Sequence, residues 1–293
     1  MPGGRVKPRG PAHGPAHRPM HRYVFVGGLH RSGTSLVASL LAEHPDIAAI
    51  EGAPVPENEG CYLQGAIPHT AQHGIPGHFA TDPAQHYLEG CALDRLDTRE
   101  RLEADWAPWF DPGKPWRAEK SPVNFTRMRL LQALFPLAQF IVVTRHPAFT
   151  TEAMRKWIDV EEGRFPRHWC DAHDIVFADI EYLHGVMIVR YEDLVGSPAT
   201  VRDAMFAFLG LGPCGTRIEV ANGNRRYSAS AQHSALCYPA LGYAPGGVHV
   251  PFAPVVRHPL RAVSDMVTAI MAAQHGKASV RAGNAAEHPI SRN

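Results

Sequence analysis

Tyr23-Val24-Phe25-Val26-Gly27-Gly28-Leu29-His30-Arg31-Ser32-Gly33-Thr34-Ser35-Leu36 is the stretch that decides the fold. The apolar run Tyr23 to Val26 reads as a short buried strand and ends at two glycines. A polar loop follows, and then Leu36, Val37, Leu40 and Leu41 recur at helical spacing. A strand, a glycine turn and a helix N-terminus in that order form an anion cradle from backbone N–H groups and the helix dipole. The phosphate-loop pattern G-x-x-x-x-G-K-[ST] is met at Gly28, Gly33 and Ser35, but Thr34 stands where the lysine belongs. Arg31 supplies the positive charge from inside the loop, and Ser32, Thr34 and Ser35 supply hydroxyls. The loop therefore suits a tetrahedral anion other than the β,γ-phosphates of a nucleoside triphosphate.

Outward from this loop, apolar strands alternate with helices. Thr34 to about Glu43 is expected to be helical and is closed by His44-Pro45, since proline disfavours helix in the residue before it. Asp46 to Ile50 is expected as a second strand. Residues 51–90 are rich in Gly, Pro and His, and loops of that length generally serve a site. Helices are expected over Thr98 to Trp106, Asn124 to Leu134, Pro147 to Trp157, His168 to Leu183 and Ser197 to Leu209, with Gly210 as a cap. Gln139 to Val143 and Val186 to Val189 read as buried strands. This alternation predicts an α/β fold of the P-loop type: three layers, a mostly parallel central sheet and helices on both faces. Ligands of such sheets bind beyond the carboxyl ends of strands, where Arg31, Lys120, Arg145 and Arg190 all stand. Val248 to Val256 holds two prolines and makes a poor central strand, so the Arg257-His258-Pro259 string after it is set aside. A last helix is expected over Leu260 to Ala273. The chain thus divides into a Pro/Gly/Arg/His-rich disordered leader (1–21), an α/β domain (22–243) and a Pro/Gly-rich C-terminal extension (244–293) with one helix.

The bulk properties narrow the function. The chain has 293 residues and a formal net charge of +1, so charge gives no argument for nucleic acid as a partner. No apolar run approaches the roughly 18 residues that span a bilayer. Five cysteines without a C-x-x-C pair fit free thiols and a cytoplasmic location.

Four segments in order carry a resemblance. Arg31 to Ser35 reads basic-Ser-Gly-Thr-Ser after the first strand. Glu119-Lys120-Ser121-Pro122 comes second, and Phe140 to Pro147, a strand running into Thr144-Arg145-His146, comes third. Arg190-Tyr191-Glu192-Asp193-Leu194, followed by Phe208-Leu209-Gly210-Leu211, comes fourth. Over about residues 22–228 the chain resembles the sulfotransferases that use 3′-phosphoadenosine 5′-phosphosulfate (PAPS), in particular their bacterial branch.

The resemblance implies that His30, Arg31, Ser32, Gly33, Thr34 and Ser35 bind the 5′-phosphosulfate. It also implies that Arg145 binds the 3′-phosphate, with Arg225 and Arg226 as a basic loop closing over it. Lys120 and Arg31 would stabilise the transferring group. Glu57 and Glu59, in the loop after the second strand, are the candidates for the base, with Glu57 placed first. PAPS is the expected co-substrate. No metal is expected, because the leaving group carries one activated sulfate rather than a polyphosphate. The acceptor would be a small molecule, carbohydrate or lipid with a hydroxyl or amine. One position departs from the family: the usual serine eight residues after the 3′-phosphate arginine is Ala153 here, with Thr150 and Thr151 a helical turn earlier. Two other readings share the loop. One is an ATP- and Mg²⁺-dependent small-molecule kinase, against which Thr34 argues. The other is a non-catalytic nucleotide-binding protein, which Ala153 favours.

Overall fold

The computed structural model describes residues 21–68, 77–157, 164–215, 217–227 and 237–286. Residues 1–20 of the expected leader and residues 69–76 of the 51–90 segment lie outside the described residues.

The elements run β1 (Arg22–Gly28), α1 (Thr34–Ala42), β2 (Ile47–Ala49), α2 (Leu96–Trp106), β3 (Trp116–Lys120) and α3 (Met128–Leu134). They continue with β4 (Gln139–Thr144), α4 (Pro147–Met154), α5 (Arg164–Ile180), β5 (Val186–Arg190), α6 (Tyr191–Gly196) and α7 (Pro198–Phe208). The last are β6 (Tyr243–Ala244), β7 (Val248–His249), β8 (Val256–Arg257) and α8 (Arg261–Ala286). The main sheet has the order β2-β3-β1-β4-β5-β8, parallel throughout except for the antiparallel edge strand β8. β6 and β7 form a separate antiparallel pair.

Strand alternation sorts the core into two halves. Tyr23, Phe25, Phe140, Val142, Val186 and Ile188 pack with residues of α2, α3 and α5 on one face. Val24, Val26, Ile141, Val143, Met187 and Val189 pack with residues of α1, α7 and α8 on the other. Helices on both faces of a mostly parallel sheet are the three-layer arrangement expected from the alternation of elements.

Several boundaries differ. The helix expected over Asn124 to Leu134 opens as a 3₁₀ segment, Pro122–Thr126, and becomes α-helical only from Met128. Pro122 opens this segment, and the backbone of Asn124 and Phe125 packs directly against Gly27, which suits the tighter turn. The helix after Arg145 stops at Met154 rather than at Trp157. The final helix runs beyond Ala273 to Ala286. The segment after residue 243 supplies β8 to the main sheet and packs Val267 and Met271 of α8 into the core. Its prolines bound a short edge strand, where a missing N–H is tolerated.

Candidate active site

β1, β3, β4 and β5 are parallel neighbours, so their carboxyl ends lie along one edge of the sheet. The segments after β1, β3 and β4 contribute to a cavity of about 890 Å³ there, within the range that small-molecule sites occupy. His30, Arg31, Gly33, Thr34, Ser35, Glu57, Glu59, Arg145 and Arg226 are among its walls.

The loop after β1 is built as its sequence suggests. Gly33 caps α1 with φ 108°, a left-handed conformation that costs a glycine little. Arg31 also has positive φ, 68°, which is strained for a residue with a side chain. The first N–H groups of α1 have no intrahelical acceptor and point toward the loop. The buried Ser32 hydroxyl has no hydrogen-bond partner among the described residues. The Arg31 guanidinium is exposed and lies 5.2 Å from the Trp157 ring.

Arg145, at the start of the β4–α4 connection, is buried against the other side of the loop. Its Nε donates to Asn224 Oδ1 (2.7 Å) and its Nη1 to the Arg31 carbonyl (2.9 Å). Its guanidinium sits near the rings of Tyr191 (4.8 Å) and Tyr227 (5.4 Å). Its Nη2 is buried without a partner. Asn224 is oriented by Glu192, which accepts its Nδ2–H at 3.0 Å, as well as the His146 N–H and the Tyr243 hydroxyl. A donor of this strength left unpaired in a cavity wall, with its other nitrogens fixed, is suited to an anionic ligand.

The loop at residues 222–227 reaches this wall through Gly223, Arg226 and Tyr227. Arg225 is exposed and does not line the cavity, so only one of the two expected arginines faces it. Burial raises the Tyr227 phenol, but its hydrogen bond to Arg31 and the charges of Arg31, Lys156 and Arg145 bring it below its usual range. Ala153 is buried. The Thr150 hydroxyl donates to the carbonyls of Arg145 and His146, and that of Thr151 to the Pro147 carbonyl. Both hydroxyls of α4 are thus engaged with backbone carbonyls at its own N-terminus.

The third wall carries the acids. Glu57 is exposed, has φ 52°, and its Oε2 accepts from the Ser35 hydroxyl at 3.1 Å. Glu59 is buried and accepts from Lys120 Nζ at 3.1 Å. Burial pushes the Glu59 carboxyl above the usual carboxylate range; Lys120 opposes this, and Glu119 and Glu57 add to it. Lys120 is thus engaged with an acid rather than exposed. His30 is held down to about 4 by burial and by the charge of Lys120, so its imidazole is neutral at pH 7.

Arg190 does not join the cluster. It is buried, with Nε and Nη2 on the Asp193 carboxylate and Nη1 on the carbonyls of Leu241 and Val250, tying β5 to the segment around β6 and β7. Asn224, Lys156 and Tyr227 join the site without a sequence signal of their own: Asn224 and Tyr227 flank the Arg225-Arg226 pair, and Lys156 stands in no motif. All five cysteines are free. Among the described residues no helix is long and apolar enough to cross a membrane.

Residues 23–212 match a family model described as the sulfotransferase family. Similar solved structures include a sulfotransferase from Alicyclobacillus acidocaldarius, at 18% identity over 69% of this chain and 87% of that one, with a TM-score of 0.41. The sulfotransferase domain of the Synechococcus PCC 7002 olefin synthase is 16% identical over 90% of this chain and 97% of that one, with a TM-score of 0.44. A sulfotransferase from Mycobacterium avium is 18% identical over 67% and 66%, also with a TM-score of 0.44. No curated protein matches the chain.

Proposed function

The chain belongs to the sulfotransferase family, and from that premise we propose that it moves the sulfuryl group of PAPS to a hydroxyl or amine of a carbohydrate, lipid or small-molecule acceptor. The observation that carries the reading is the pairing of two unsatisfied buried donors, Ser32 Oγ and Arg145 Nη2, with the loop that opens α1. These groups fit a ligand with one anion at the loop and a second at Arg145. PAPS, when bound, supplies an activated sulfuryl group on a phosphate leaving group.

In this reading Arg31, Ser32, Gly33, Thr34 and Ser35, with His30 beside them, hold the 5′ end. Arg145, Arg226 and the phenol of Tyr227 hold the 3′-phosphate, with Arg225 in an outer role at most. Arg31 and Lys120 stabilise charge as it shifts onto the leaving group, the role that fixed cationic donors play at a developing oxyanion. Glu59, rather than Glu57, takes the proton from the acceptor. It lies on the cavity wall beside Lys120, and its burial keeps its proton affinity above that of an exposed carboxylate. Glu57 sits on the loop's own Ser35, where a bound anion would repel it. Lys120 holds the Glu59 carboxylate in place and accompanies the proton's removal with its charge.

Calorimetric titration with 3′-phosphoadenosine 5′-phosphate (PAP), the desulfated product, tests this, with ATP–Mg²⁺ as control. Micromolar PAP binding that weakens by roughly 10- to 100-fold in Arg145→Ala is the expected result, the loss proper to a charge-assisted hydrogen bond. Binding of ATP–Mg²⁺ in preference to PAP would refute the reading.

A further inference from the structure

Glu119 is the most deeply buried acid near the site, and the mechanism above leaves it unused. It lies on β3 one residue before Lys120, under the turn that carries Glu59. Its carboxylate accepts from the backbone N–H of Gly60 at 3.0 Å, from the Ser121 hydroxyl and from Asn124 Nδ2. Each neighbour is fixed as a donor. The Ser121 oxygen already accepts the Cys61 N–H at 2.9 Å, leaving its proton for Glu119. Asn124 Nδ2 also donates to the Val26 carbonyl, which sets its amide orientation. A carboxyl surrounded only by donors is satisfied as the anion. Burial raises its proton affinity and these donors oppose that rise.

The same contacts fix the turn. Gly60 and Cys61, the two residues after Glu59, have their backbone N–H groups on Glu119 and Ser121. A Cβ at Gly60 would stand 2.5 Å from Glu119 Oε1, so only glycine lets the backbone come this close. The Trp106 indole N–H donates to the Gly60 carbonyl at 2.9 Å and closes the turn from the other side.

We propose that Glu119, with Ser121, is a positioning residue for Glu59: it pins the Gly60–Cys61 backbone so that the Glu59 carboxylate rests on Lys120 at the cavity wall. The inference rests on the reading of Glu59 as proton acceptor. Glu119 acts on Glu59 in a second way, through its charge. The groups facing Glu59 are Lys120 from the end of β3, Glu119 from within β3, and Glu57, Cys61 and the Tyr62 phenol from its own loop; His30 faces Lys120. Of these, Glu119 and Glu57 are like charges that favour the protonated form of Glu59. Removing the charge at Glu119 therefore lowers the pH at which Glu59 loses its proton.

The test follows the Glu59 carboxyl directly, in full-length protein carrying ¹³C-labelled glutamate. The resonance missing from Glu59→Gln identifies it. In Glu119→Gln the amide oxygen can still accept from Gly60 and Ser121, so the charge is lost but the pin is kept, and the Glu59 titration midpoint should fall, while PAP affinity by calorimetry stays within about twofold. Glu119→Asp, which keeps the charge, should return the midpoint toward that of the unaltered protein. An unmoved midpoint in Glu119→Gln, or loss of PAP binding there, overturns the inference. A protein that binds no PAP at all strikes at the donor reading instead. Amide hydrogen exchange of the unaltered protein needs no variant: slow exchange at Gly60 and Cys61 is expected, and exchange at the rate of a free loop would overturn the pinning.

Discussion

At the scale of single residues, Glu57 and Glu59 are two positions apart and do different things. One is exposed on the loop's serine; the other is sealed against a lysine. Glu59→Gln should lower single-turnover transfer by roughly 100-fold or more while PAP binding survives, since general-base contributions run at about 10²–10⁴-fold. Glu57→Gln should leave turnover within about threefold on the same scale. Rapid-quench assays on both variants decide, and the reverse order would return the role to Glu57. The sequence names both acids, because both stand in the loop after the second strand. It places Glu57 first, because the burial and the Lys120 contact that favour Glu59 arise only when β3 is laid beside β1. Arg225 and Arg226 show the same limit: in a 3₁₀ turn adjacent side chains diverge, and only Arg226 meets the cavity.

At the scale of elements, β1, β4, β5 and the anion loop are legible because continuous apolar runs and a glycine turn are written locally, whereas β3, with its charged residues, carries no such run. Helix starts are less legible. Residues 122–134 carry an ordinary helical pattern, and the 3₁₀ opening is imposed by the close approach of Gly27. The packing of α5 on β4 also makes a prediction. His173 of α5 is sealed, with Nδ1–H donating to the Trp169 carbonyl and Nε2 accepting from the Thr144 hydroxyl. Burial holds its imidazole down to about 3, whereas the unfolded chain titrates near 6.5. The unfolded state therefore takes up the proton first as pH falls. Stability is full above about pH 6.5 and is lost progressively between there and pH 3, by about 2 kcal/mol at pH 5 from this residue alone. Calorimetric Tm values should fall over this range, and more gently in His173→Gln. Parallel curves for the two proteins would show that His173 does not couple to acid unfolding.

At the scale of the whole molecule, the sheet draws its sixth strand and part of one core half from the segment beyond residue 243. Composition set that segment apart, since prolines and glycines hide a two-residue edge strand whose pairing is entirely long-range. Met271 is fully buried against the α1/α7 face. Met271→Ala should cost about 2–4 kcal/mol in denaturant unfolding, the range for a truncated core side chain. A change below about 0.5 kcal/mol, the level of a surface substitution, would show that α8 is not part of the core.

The position of β8 has a further consequence during synthesis. Met187 emerges from the ribosome well before its partner Val256, so a growing chain carries β5 with one edge of backbone donors and acceptors open. Such an edge recruits other strands. Translation that pauses between these residues leaves a nascent chain poised to pair with its polysome neighbours, and the protein's yield in cells becomes a matter of elongation speed and chaperone supply as much as of final stability.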